Sequence, residues 1–134
     1  LVELDGNIAE VGNGAGLVMS TFDMLSDKGG KPACFLDVGG GATTESVYQA
    51  LTLISKMKNV KAILVNLYGG IVKTTTVASA FIKAYENNLI DLPVFARLKG
   101  SEAEKSKEML QGTRTKMFEA VEEAINAAVM GVKK

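Results

Sequence analysis

Three glycine-rich stretches punctuate the chain: GNGAG at residues 12–16, GGG at residues 39–41 and GGI at residues 69–71. Each follows an apolar run and precedes a helical pattern. Glycine lets a backbone come close to a ligand. The first turn of the helix that follows offers unpaired N–H groups and the positive end of its dipole. Together they hold an anion without any charged side chain. One such loop reads more readily as a tight turn. Three in equivalent places favour an anionic ligand, without saying which one. Histidine is absent and cysteine occurs once, at Cys34. Ser-His-Asp and Cys-His catalysis, histidine metal sites and an internal disulfide are therefore excluded within this chain. Cys34 stands inside an apolar run and reads as a small core residue, not a nucleophile.

The elements that must carry these loops alternate along the chain. Strands are expected over residues 7–11, 33–38, 60–68 and 94–98, with a weak, short fifth over 115–118. Helices are expected over residues 17–26, 45–57, 74–87 and 102–110, and a last one carries Val121, Ile125, Ala128, Val129 and Val132 on one face. Thr43 or Thr44 can cap the second helix, Ser101 the fourth, and Asn13 is a natural cap for the first. Nearly continuous apolar strands indicate a sheet covered on both faces. Strand–helix alternation then gives an α/β fold with a parallel sheet, and all three glycine loops fall on its carboxyl edge, where open sheets of this kind bind ligands.

The bulk properties narrow the partners. The chain has 134 residues, 47% hydrophobic and 22% charged, the make-up of one globular domain. Fifteen basic residues balance fifteen acidic ones. No net field draws it to nucleic acid or to a membrane surface. No apolar run approaches the ~18 residues of a membrane span. With one cysteine and no signal-peptide pattern, a cytoplasmic location is expected. The chain begins at Leu1, not Met, which suggests a piece of a longer protein. Asp37 suits a turn or a pairing with a helix amino terminus, and Arg97 and Lys73 stand near the ligand edge. Met19, Met24 and Met130 read as core or interface packing. The charged run at residues 102–108 reads as a solvated helix face. A dinucleotide reading takes Asp37 as the ribose acid, but Leu17 stands where its third glycine belongs.

Four blocks in order, LDGNIAEVGNGAGLVMSTFDML, PACFLDVGGGAT, VKAILVNLYGGIVK and PVFARLKG, closely resemble the carboxy-terminal CoA-ligase domain of succinyl-CoA synthetase beta subunits. ATP citrate lyase and malate–CoA ligase are relatives of that family. The resemblance implies a flavodoxin-like, three-layer α/β/α fold with a parallel sheet of four to five strands. It implies that residues 1–134 form a single carboxy-terminal domain, preceded in the family by an ATP-grasp domain. The implied reaction is reversible, nucleotide-dependent formation of succinyl-CoA from succinate and CoA through a phosphohistidine, a step of the citric acid cycle. The family's alpha subunit supplies that histidine and most of the CoA site. ATP or GTP with Mg2+ belongs to the ATP-grasp domain, and in eukaryotes the compartment is the mitochondrial matrix.

Residue by residue, Asn13 matches the family's substrate-contacting asparagine, and Gly70, Ile71 and Val72 match its second substrate segment. Gly14, Ala15 and Gly16 match the opening of a helix that holds the phosphohistidine. No catalytic side chain and no metal ligand carry over. Thr74 stands where some members have a reactive cysteine, and the chain runs short of the family pattern around residues 111–118. On this reading the isolated domain has no ligase activity. A malate–CoA or citrate-lyase relative, a stand-alone dinucleotide-binding module and a purely structural interaction domain are the alternatives.

Overall fold

The apolar runs become the strands of one sheet. In the computed structural model, which describes residues 2–132, the order of elements is β1 (Val2–Glu3), β2 (Ile8–Gly12), α1 (Ala15–Asp27), β3 (Pro32–Asp37), α2 (Thr44–Ser55), β4 (Ala62–Gly69), α3 (Thr74–Glu86), β5 (Val94–Gly100), α4 (Ala103–Met109), β6 (Thr115–Met117) and α5 (Val121–Val132). The sheet order is β1-β3-β2-β4-β5-β6. Strands β2 to β6 pair in parallel, and β1 pairs antiparallel with β3. The fifth parallel strand exists, but it is only three residues long. A sixth, antiparallel strand was not expected, since two residues carry no periodicity to read.

Alternation along each strand sends side chains to two helical layers. Ile63, Val65 and Leu67 of β4 join Val47, Leu51 and Ile54 of α2, Val77, Phe81 and Ala84 of α3 and Ala103 of α4 in one cluster. Ala62 and Leu64 join Ile8, Leu25 of α1 and Ala124, Ile125 and Ala128 of α5 in the other. The fold is therefore a three-layer α/β/α sandwich, with α2, α3 and α4 on one side and α1 and α5 on the other. Of the stripe read for the last helix, Ile125, Ala128 and Val129 are buried and Val121 and Val132 half-buried. Met19 and Met130 are both exposed, so they are not core.

Two expected caps are corrected. The residue before α1 is Gly14, not Asn13, and no side chain caps that helix. Before α4 stands Glu102, in the left-handed region at φ 63°, so Ser101 is not the cap. Thr43 does cap α2, through a reciprocal pair with Ser46. Among the five parallel strands the chain visits β2, then β3 on one side, then β4 on the other. That reversal opens a crevice outside the carboxyl ends of β2 and β4, and there such sheets bind ligands.

Candidate functional site

The three glycine loops look alike in sequence but end differently. At α2 the helix start is closed: the Ser46 amide donates to Thr43 Oγ1 at 3.0 Å, and the Thr43 amide donates to Ser46 Oγ at 2.9 Å. At α3 no side chain caps the start, but Thr74 is buried there. The Thr74 hydroxyl donates to the Ser101 carbonyl at 3.0 Å and contacts Ser106 Oγ at 2.7 Å, while the Thr75 hydroxyl donates to Glu102. That bond, first among its causes, holds the Glu102 carboxyl below the usual range, with Lys73 adding to it. Lys73 lies 4.0 Å from Glu102, so it meets a carboxylate and not the cleft.

At α1 the start is open. The first helical bond runs from the Val18 amide to the Gly14 carbonyl, 3.0 Å. The amides of Ala15, Gly16 and Leu17 precede it, and no side chain caps them. Ala15 and Gly16 are exposed, and a Cβ on Gly16 would meet nothing within 4 Å. Three unpaired N–H groups and the dipole therefore face solvent at the crevice.

Asn13 does something other than cap. Its Nδ2 donates to the Tyr68 carbonyl at 2.6 Å, and its Oδ1 accepts from the Tyr68 amide at 2.9 Å. The side chain thus imitates one more rung of the β2–β4 ladder and fastens the first glycine loop to the third. One N–H and one lone pair of the amide remain for a ligand. Gly14 follows at φ 96°, ψ 134°, a conformation that side-chain-bearing residues rarely adopt. Its N–H donates to Asp37 Oδ1 at 2.7 Å. Asp37 therefore pairs with the start of a helix, as its place in the sequence suggests.

These residues border a cleft of about 250 Å³ lined by Asn13, Gly14, Asp37, Gly39, Gly40, Ile71 and Val72, with Val38 at its floor. Of the residues expected to form a site, Asn13, Gly14, Ile71 and Val72 meet here. Gly70 adjoins them through a bond from its amide to the Val72 carbonyl at 3.2 Å. Ala15 and Gly16 follow Gly14 at the helix start. A larger hollow of about 660 Å³ lies at the opposite, amino end of the sheet, beside Tyr85 and Met109. Its one arginine, Arg114, is already paired with Asp91 at 3.0 Å, and no helix begins there. The smaller cleft has the chemistry. Among the described residues no group of three or more acids or cysteines is placed to hold a metal ion.

Two polar features escaped the sequence reading. Asn66, buried on β4, donates to Thr21 Oγ1 at 2.8 Å and accepts from Arg97 Nη1 at 3.1 Å. Arg97 also lies over the Tyr68 ring, 5.9 Å from its centroid. This chain braces the strand that Asn13 grips. Glu10 on β2 is fully buried with neither carboxyl oxygen hydrogen-bonded. Burial first, and Asp23 second, push its pKa up to about 8. An acid inside an apolar strand run was the available signal.

Comparison with known proteins points the same way. The family model described as CoA-ligase matches residues 11–130. The chain is 45% identical over 128 residues to the beta subunit of a GDP-forming succinate–CoA ligase from Thermus thermophilus, covering 96% of this chain and 34% of the relative. It is 46% identical over 133 residues to an ADP-forming counterpart from Marinomonas, covering 95% of this chain and 34% of that one. The chain spans about a third of the length of the curated relatives it matches. Among solved structures, PH0766 from Pyrococcus horikoshii superposes with a TM-score of 0.77 at 21% identity, over 98% of this chain and 36% of the other. A dinucleotide-forming acetyl-coenzyme A synthetase from Candidatus Korarchaeum cryptofilum, solved with phosphate and ADP, gives 0.73 at 20%, over 96% and 33%. Both likenesses concern the fold.

Proposed function

The chain belongs to the CoA-ligase family, and from that membership we propose that it serves as the carboxy-terminal ligase domain of a succinate–CoA ligase beta subunit. One observation carries the proposal. Of the three helix starts that follow the glycine loops, that of α2 is capped and that of α3 is uncapped but buried at Thr74, while that of α1 is both uncapped and exposed and lies at the crevice between β2 and β4 beside Asn13 and residues 70–72. In this reading a phosphohistidine presented by an alpha subunit rests against the amides of Ala15, Gly16 and Leu17. The helix start stabilises that charge by ~0.3–1 kcal/mol when exposed and up to ~2 kcal/mol when a partner covers it. Asn13, with its spare N–H, and the backbone of Gly70, Ile71 and Val72 hold the carboxylate of succinate.

The chain's own share of the reaction is to bind and orient. It lends amides to a transferring phosphoryl group and keeps the acid in line with it. Nucleotide, as ATP or GTP with Mg2+, belongs to an ATP-grasp domain upstream, and CoA mainly to the alpha subunit. Tyr68 and Ile71, 57% and 90% exposed on the rim of the cleft, supply apolar surface for the alpha subunit to cover. The site of action is the cytoplasm, or the mitochondrial matrix in a eukaryote.

The test is reconstitution. The 134-residue chain alone is expected to make no succinyl-CoA and to hydrolyse no ATP. Joined to an ATP-grasp domain and supplied with an alpha subunit, it is expected to do both steps. In that complex Asn13→Ala should lower kcat/KM for succinate by ~1–3 kcal/mol, the cost of leaving a buried polar contact unmade. Turnover by the chain alone, or an Asn13→Ala complex with unchanged kcat/KM, would refute the proposal.

A further inference from the structure

Residues 70–72 form a short span held at both ends by one turn, the turn from β5 into α4. At the near end the Ser101 amide donates to the Gly69 carbonyl at 3.0 Å. The backbones are so close there that a Cβ on Gly69 would stand 2.4 Å from the Ser101 carbonyl oxygen, and one on Gly100 2.4 Å from that of Gly69. At the far end the Thr74 amide and hydroxyl both donate to the Ser101 carbonyl, at 3.4 Å and 3.0 Å. The Thr75 hydroxyl donates to the Glu102 carboxylate. Between these anchors Gly70 and Ile71 are exposed and Val72 is buried.

The far anchor is strained. Glu102 stands at φ 63°, ψ 19°, a region that glycine occupies freely and glutamate does not. Strain of this kind persists where the surroundings over-determine it, and it gathers at functional sites. What glycine could not do at this position is reach Thr75. One Glu102 oxygen takes the Thr75 hydroxyl and the other faces Lys73 at 4.0 Å, so both are engaged within the chain. A carboxylate does not attract an acid, so any gain for an acid substrate has to be geometric. We propose that Glu102 is a positioning residue, which holds Thr75 and so fixes the backbone of Gly70, Ile71 and Val72 where it meets the acid. This rests on the reading of residues 70–72 as the backbone that holds the carboxylate of succinate. The competing explanation is that Glu102 merely ties α4 to α3.

Steady-state kinetics of the reconstituted complex, set beside thermal melts, separate these. Glu102→Ala removes the carboxylate and keeps the strain; Glu102→Gly removes both. The alanine variant is expected to melt lower than the glycine variant. Both are nonetheless expected to raise KM for succinate by about three- to tenfold, with KM for the nucleotide unchanged. Glu102→Gln keeps an acceptor for Thr75 and is expected to keep the parent's KM. Thr75→Val removes the hydroxyl instead, should raise KM equally, and should add nothing to Glu102→Gly; it covers the case in which the alanine variant does not fold. If KM follows the melting temperature, so that the glycine variant matches the parent, Glu102 only supports the fold. A glutamine variant as impaired as the glycine variant would also overturn the positioning role. Gly70→Ala tests the reading beneath it. A Cβ there meets nothing within 4 Å of this chain, so a raised KM would come from the substrate. If Gly70→Ala leaves KM for succinate unchanged, residues 70–72 do not hold the acid and the proposal falls with that reading. If Gly70→Ala raises KM while the Glu102 variants match the parent, the positioning role alone is removed.

Discussion

Glu10 is flanked across the sheet by Phe35 and Leu64, and neither of its oxygens has a hydrogen-bond partner. Its folded pKa, about 8, lies above the ordinary value of 4.5, so folding takes up a proton between those two pH values. The stability tied to that proton is complete below pH 4.5 and is lost as pH climbs through 8, by no more than about 1.4 kcal/mol per pH unit. Glu10→Met, close in volume and without polar atoms, is expected to add about 1–3 kcal/mol near neutral pH. It should also flatten the slope between pH 4.5 and about pH 8. Urea unfolding of parent and variant at several pH values reads both effects. Equal slopes would show that Glu10 is ionised or solvated in the folded chain. At this scale the sequence was partly legible. Asn13, Gly70, Ile71 and Val72 were named from it, and they do gather. The partner of Asn13 was not visible, because Tyr68 lies 55 residues away and offers its backbone, which has no residue type. Sequence reading placed Asn13 as a cap because the local rule is sound; a strand end within reach of its amide outcompeted it.

At the scale of elements, the contrast between helix starts makes its own prediction. Thr43→Ala breaks the reciprocal pair that closes α2 and is expected to cost about 1 kcal/mol while leaving phosphate shifts at residues 15–17 unchanged. Gly14→Ala forces a side chain into a conformation that suits glycine and is expected to cost about 1–3 kcal/mol while disturbing those shifts. Thermal melts beside amide spectra distinguish the two; a Thr43→Ala variant that altered phosphate binding would show that α2 shares the site. Long elements were readable from period and burial: β4, apolar on both faces, and α3, with Val77, Ala80, Phe81 and Ala84 buried. Short ones were not. β1 and β6 have two and three residues, too few to show alternation, and they form because an existing strand edge offers partners. The start of α4 was misread because Glu102 adopts φ 63° while its carboxylate serves Thr75, a contact 27 residues away. Gly69 closes β4 where the backbones come close: a Cβ there would stand 2.4 Å from the Ser101 carbonyl oxygen.

At the scale of the whole molecule, strand order decides which loops meet. Glycine stretches at residues 12–16, 39–41 and 69–71 share one edge, but only the reversal between β3 and β4 in the path of the chain places β2 beside β4 and opens a crevice between them. Alternation of strand and helix gave the class of fold; it did not distinguish three similar loops, because that distinction rests on what Thr43, Glu102 and Asp37 do across the edge. The sheet ends in short strands, β1 on one side and β6 on the other, which limits pairing with other chains. The chain thus has a core of its own, and under the proposed function its amides serve a site whose histidine, nucleotide and CoA come from elsewhere. The most direct test is a crystal structure of the reconstituted complex after phosphorylation by nucleotide. The phosphoryl oxygens on the alpha subunit's histidine are expected within hydrogen-bonding distance of the amides of Ala15, Gly16 and Leu17. A phosphohistidine found at the start of α2 or α3, or away from this domain altogether, would contradict the assignment.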